Sequence, residues 1–148
     1  VKRAVLDTNV LASGIAGYLL PESTPGEILR RWRQEHFALL ISEPIPTELE
    51  RTLQKPYFRA RVTPDQRDRI LRLLIRQATL VEITVRVQSV ATHREDDVIL
   101  ATAVSSKADW LVTGDVKVQR LGSYQGVTIL SPRAFLDLLE QARQSGPQ

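Results

Sequence analysis

The stretch Arg3-Ala4-Val5-Leu6-Asp7-Thr8-Asn9 is a short apolar run that ends on a carboxylate. A run without polar alternation reads as a strand buried on both faces, the state of a central strand in a parallel sheet. An acid at the C-terminal end of such a strand stands where open α/β sheets bind their ligands. Beside it lies Asn9, the only asparagine in the chain. A second reading makes Asp7 and Asn9 no more than caps of a helix that begins near Val10. The choice between the two depends on where the other acids fall.

Working outward, Val10–Ile15 is a short helical candidate, and Gly14, Gly17 and Pro21 break the segment after it. Ser23–Phe37 reads as a helix, with Thr24-Pro25 at its start and Ile28, Leu29, Trp32 and Phe37 as its apolar stripe. Ala38–Ile41 is a second buried strand. A helix then runs from about Pro44 to Leu53, stopped by Lys55-Pro56. Thr63-Pro64-Asp65 starts the longest amphipathic helix. Its core face is Ile70, Leu71, Leu73, Leu74 and Ala78, and Arg69, Arg72 and Arg76 make a row on the other side, read as a solvated face in preference to an RNA contact. Leu80–Val87 alternates and reads as a strand. Asp96–Lys107 is helical and apolar nearly all round, hence buried. Trp110–Val112 is a strand ending at Thr113-Gly114-Asp115, and Val127–Leu130 is the last strand. Ser131-Pro132 opens a final helix to about Ala142. Strands alternating with helices, without hairpin-type alternation, predict a parallel sheet with helices on both faces. One domain over residues 1–142 is expected, with 143–148 a flexible tail.

The totals narrow the function classes. At 148 residues and 43% hydrophobic content, the chain suits one domain with a real core. It contains no cysteine, which excludes disulfides and thiolate metal sites. No apolar run approaches a membrane span, and the first residues lead straight into a strand, so a cytoplasmic protein away from the membrane is expected. Net charge is +3, and sixteen of the twenty basic residues are arginine. A basic domain suits a polyanionic partner, although an excess this small is a modest argument.

The acids then fall into place. Asp7 ends the first strand, Glu48 lies about one turn into the helix after the second, Asp96 and Asp97 open the buried helix, and Asp115 ends the strand Trp110–Val112. In a parallel sheet all these points lie on the edge where strands end and helices begin. Each acid has an ordinary explanation of its own: Asp96 and Asp97 favour a helix dipole, Glu48 is an exposed helix acid, and Asp115 is a turn residue. Four such placements on one edge make coincidence the poorer account. Crowded carboxylates raise one another's pKa and are costly unless a cation neutralises them. Oxygen ligands alone favour a hard ion, Mg²⁺ or Mn²⁺. An acid-lined site for such an ion in a basic protein points to phosphodiester chemistry with a metal-activated water.

These motifs resemble the PIN domains, and more closely their toxin-like branch, the VapC-related toxin components of toxin–antitoxin systems. The resemblance runs from Val5 to about Leu130. It rests on Val5-Leu6-Asp7-Thr8-Asn9-Val10-Leu11 with Ser13, on Ser42 with Glu48-Leu49 and Leu53-Gln54-Lys55-Pro56-Tyr57-Phe58, on Asp96-Asp97-Val98-Ile99-Leu100-Ala101, and on Trp110-Leu111-Val112-Thr113-Gly114-Asp115. It implies a three-layer α/β/α sandwich with a central parallel sheet, and a ribonuclease dependent on one or two Mg²⁺ or Mn²⁺ ions. By position, Asp7, Glu48, Asp96 and Asp115 are the implied metal-binding acids; Asn9, Thr113 and, less directly, Thr8 orient them, and Asp97 stands beside the third acid. It further implies an RNA substrate, a small inhibitory antitoxin protein and a homodimer, with Trp32, Tyr57 and Phe58 as candidate contact residues, although burial in the core is the expected fate of Trp32. Two departures stand out. His93-Arg94-Glu95 replaces an Asp-Pro-Asp pattern before the third acid, and Lys117 stands where many VapC-like chains carry a further acid, which puts the second ion in doubt.

Other chemistries fit less well. His36 and His93 lie far apart with no Ser or Cys motif beside them, which argues against a triad. No Gly-rich phosphate loop is present. An aspartyl-nucleophile phosphatase would want an acid at the position of Asn9. The competing reading from another class is a PIN-like module that binds RNA or protein with little or no hydrolysis.

Overall fold

The computed structural model describes residues 2–87 and 94–144, with the backbone alone for residues 94–96. Its elements in chain order are β1 (Arg3–Leu6), α1 (Thr8–Ala16), α2 (Thr24–Arg33), β2 (Ala38–Ile41), α3 (Pro44–Leu53), α4 (Pro56–Arg59), α5 (Pro64–Gln77), β3 (Thr79–Leu80), α6 (Arg94–Ser105), β4 (Trp110–Val112), α7 (Val116–Gln119), β5 (Ser123–Tyr124), β6 (Val127–Leu130) and α8 (Pro132–Gln144).

β1 forms the centre, as its apolar run requires. Ala4, Val5 and Leu6 are buried, and β1 pairs in parallel with β2 on one side and β4 on the other. The sheet order is β3-β2-β1-β4-β6-β5. The chain therefore winds outward through β2 and β3 and then returns to continue on the opposite side of β1 with β4. That reversal makes the β1/β4 boundary the switch point of the sheet, where a crevice opens beyond the strand ends. Helices cover both faces, giving an α/β/α sandwich with a mostly parallel sheet. Helix α6 packs on β1, β2 and β4. Its Ile99, Leu100, Ala101 and Ala103 are buried, and Thr102 bonds to Ser42 at the end of β2 at 2.7 Å.

Local signals account for the helix starts. The Asp7 carboxylate accepts from the Val10 N–H at 2.8 Å and caps α1. Ser23 caps α2, and Thr63 with Gln66 forms a reciprocal capping box on α5. Gly26 is needed for a close approach: a Cβ there would sit 2.1 Å from the Gly17 carbonyl oxygen, so α2 can start against the end of α1 only without a side chain.

The structure departs from expectation in four places. Leu80–Val87 is not a strand; only Thr79–Leu80 pairs with β2, and residues 81–87 are irregular. β2 ends at Ile41 and its last bond, from Val81 N–H to the Ile41 carbonyl, leaves no further ladder, so the Thr84 and Val85 N–H groups turn to the Ser105 hydroxyl. Second, the sheet is not wholly parallel. β5 and β6 form an antiparallel hairpin across Gln125-Gly126, both at positive φ. Third, of the expected core face of α5 only Leu74 is fully buried, with Ile70, Leu71, Leu73 and Ala78 half-covered. Fourth, boundaries move: α2 stops at Arg33, short of Phe37, α6 spans Arg94–Ser105, and α8 continues to Gln144, past the expected start of the tail. The rest of that tail, residues 145–148, lies outside the described residues, as does His93. No described helix is long and apolar enough to cross a membrane.

Candidate functional site

At the β1/β4 switch point a cleft of about 640 Å³ opens over the strand ends. Asp7 from the end of β1, Glu48 from α3 and Asp115 from the segment after β4 all line it, together with Thr8 and Asn9. Three of the expected acids, carried by separate elements, thus share one cavity. Asp96 stands in the first turn of α6, but its side chain lies outside the described residues. Asp97 follows it, half-buried and engaged with its surroundings.

The base of the site is rigid. Asp7 is 6% exposed, with one carboxylate oxygen bonded to the Val10 N–H and the other accepting from the Thr113 hydroxyl. Thr113, itself buried, also accepts from the Asp115 N–H at 3.0 Å, so one hydroxyl joins the ends of β1 and β4. Asn9 is exposed and lines the cleft beside Asp7. Burial raises the Asp7 pKa above the usual carboxylate range, although Thr113 and the N–H groups of Val10, Asn9 and Gly114 pull it back. Asp115 caps α7, its carboxylate accepting from the Lys117 N–H at 2.8 Å and from Val118. Glu48 holds Arg51, one turn on along α3, at 2.8 Å.

The acids are therefore brought to one cleft while each keeps a local partner. Among the described residues no three acidic or histidine side chains lie close enough together to grip one cation. The donor chemistry present is all oxygen, carboxylates and amide, which fits a hard divalent ion.

Several cleft residues were not foreseen from the sequence. Arg51, Thr52 and Lys55 on and after α3 and Ile99 on α6 also line the cleft. Part of their signal was available: positions 48, 51 and 52 follow helical spacing and share a face, whereas Lys55 stands past the end of α3. The arginine row lies elsewhere. Arg69, Arg72 and Arg76 are exposed and border a groove lined by Ile70 and Leu73, by Ile15 from the far end of α1 and by Tyr18 just past it. Of the aromatic candidates for contact, Trp32 and Phe58 are buried in the core, and Tyr57 alone is exposed.

Comparison of the chain with curated proteins gives no match. The family model for the PIN domain matches residues 3–117, an interval that runs from β1 into α7 and takes in Asp7, Glu48, Asp96 and Asp115. The chain belongs to the PIN-domain family, whose members include metal-dependent nucleases.

Proposed function

We infer that this protein is an endoribonuclease dependent on Mg²⁺ or Mn²⁺, the toxin of a toxin–antitoxin pair. The observation that carries the reading is the convergence of Asp7, Glu48 and Asp115, from three separate elements, on one cleft at the switch point of the sheet. Carboxylates collected in a basic protein need a counter-charge, and a hard ion with an RNA phosphate is the chemistry that uses them. Asp7, Glu48, Asp96 and Asp115 would hold the ion, which supplies a water of lowered pKa and charge stabilisation at the phosphate.

The chain's own residues do the positioning. Thr113 and the Val10 N–H hold both Asp7 oxygens in one orientation, and Thr113 ties Asp115 to the same point. Asp115 is further held by the α7 cap, so neither acid must be ordered at the moment of binding. To hold the ion, Glu48 would give up its pair with Arg51, and that guanidinium would then be free for a phosphate. Asn9 presents an exposed amide at the rim.

The pairing of Glu48 with Arg51 favours a second reading, a PIN-like module that binds RNA or protein with little hydrolysis. A cleavage assay separates the two. Purified protein should cut RNA with Mg²⁺ or Mn²⁺ and stop in EDTA; undiminished cleavage in EDTA overturns the metal mechanism, and binding without cleavage at any metal concentration supports the module. The toxin assignment carries a small antitoxin, a homodimer and a cytoplasmic setting with it. Co-expression with a candidate antitoxin should relieve growth arrest, and sedimentation showing only monomer at high concentration counts against the dimer.

A further inference from the structure

The motif Leu53-Gln54-Lys55-Pro56-Tyr57-Phe58 supplies no acid to the site, yet its Lys55 lines the cleft. Lys55 and Arg51 line the same cavity as the acids. Arg51 is 68% exposed, and Lys55, also exposed, has no acidic partner among the described residues. Two residues beyond Lys55, and so within about 7 Å of backbone reach, Tyr57 starts the outer side of α4. Tyr57 is 57% exposed. The Arg61 guanidinium lies 3.7 Å from the ring centroid and bonds the Tyr57 carbonyl at 2.8 Å, while Phe58 meets the ring edge-to-face. The ring is thus held by its neighbours and still presented to solvent.

We propose that Arg51 and Lys55, followed by the Tyr57–Arg61 pair, form the track by which a single-stranded polynucleotide enters the acid cleft. Phosphates lie against Arg51 near the end of α3 and Lys55 just past it, and a base beside the cleft stacks on the Tyr57 platform. This deepens the ribonuclease reading and rests on it for the identity of the cleft. Cations followed by an exposed aromatic carrying a guanidinium are the pairing that binds unpaired strands without reading sequence. A duplex keeps its bases stacked inside and leaves Tyr57 nothing to hold. The arginine row of α5 is a weaker candidate for this task. It borders Tyr18, just past α1, and Ile15 at the C-terminal end of α1, a helix whose N-terminal end is at the acids and which is about 13 Å long.

Binding is measured without metal, by fluorescence anisotropy of a labelled single-stranded oligoadenylate in EDTA over a range of salt. Lys55→Ala should make the dependence of log affinity on log salt shallower by roughly 0.7, one phosphate contact on a single strand, and Arg51→Ala should move it less, because Glu48 keeps Arg51 paired when no metal is bound. Tyr57→Leu should weaken binding about tenfold at unchanged salt slope, and Tyr57→Phe should restore it; a merely structural role would not divide in this way. The duplex of the same length should bind more weakly and ignore Tyr57→Leu. Unchanged slopes and affinities in folded variants overturn the track, as does a loss seen only in the combined Arg69→Ala, Arg72→Ala, Arg76→Ala variant. If wild-type protein cuts RNA with Mg²⁺ while the track variants bind normally, the track alone fails. If wild-type protein cuts nothing but the variants lose EDTA binding as described, the track stands and the ribonuclease reading fails.

Discussion

At Asp7 the needs of folding and of chemistry oppose each other. Burial raises its pKa, so in the folded chain the carboxyl takes up a proton at a pH where the unfolded chain leaves it ionised. The folded state then binds more protons than the unfolded state, and this group's contribution to stability falls as pH rises from its ordinary value through its folded one. Asp7→Asn keeps the shape and a cap for Val10 while removing the charge. Without metal, its melting midpoint should exceed that of the wild type by roughly 2–4 °C at neutral pH, and the gap should close in acid. RNA cleavage by the same variant should be lost. A large fall in midpoint would mean that the carboxylate is a structural cap first, which is the plainer reading of the same hydrogen bond to Val10.

Among elements, what the sequence revealed depended on the range of the interaction that made each one. β1, β2 and β4 were legible because a strand buried on both faces is apolar along its length, whatever its neighbours do; β6 keeps one wet position, Thr128, between buried Val127 and Ile129. Leu80–Val87 misled because alternation reports only which face is wet, whereas a strand also needs a partner, and β2 had already ended. The β5–β6 hairpin escaped because its turn is Gln125-Gly126, with glutamine at a left-handed position that asparagine or aspartate usually marks. Gln125→Asn should therefore stabilise the protein by about 0.5 kcal/mol, read as a higher urea midpoint; no gain would mean that the strand pairing dictates the turn. That Asp7, Glu48 and Asp115 share one cleft was legible by position, while the cations beside them were not, because a helix face is seen only once one member is known to line a cleft. Helix register likewise separates Asp96 from Asp97. Ile99 lines the cleft, and position 96 stands three before it on the helix, the spacing that shares a face. Asp96→Ala should abolish cleavage at every Mg²⁺ concentration. Asp97→Ala should keep a fraction of activity and need about 10–100-fold more metal, as changes behind a metal ligand do. The reverse order would place this helix one residue out of register.

Across the whole molecule, the two ends of α1 serve different surroundings, the acid cleft at its start and the arginine-bordered groove at its finish. Behind that layer, α2 is locked to the C-terminal α8 by Arg31, which is 6% exposed and pairs with Glu27 at 2.7 Å and with Glu140. One Arg31 nitrogen, Nη1, is buried with no partner among the described residues, so the clamp is an imperfect one and its worth rests on the acids staying ionised. Burial would push Glu27 up, but the hydrogen bonds from Arg31 and Arg30 outweigh it and hold the carboxyl below its ordinary value. The sign is opposite to that at Asp7. A depressed carboxyl lends stability that is complete above its unfolded pKa and is lost as pH falls through its folded one. Glu27→Gln should accordingly cost stability at neutral pH, and its deficit should shrink below about pH 4.5, near the ordinary glutamate pKa. Urea midpoints for both proteins from neutral pH down to the acid limb measure the difference. A deficit that stays constant through that range would show that Glu27 supports α2 by packing and hydrogen bonding alone, and that its charge adds nothing to its pairs with Arg30 and Arg31.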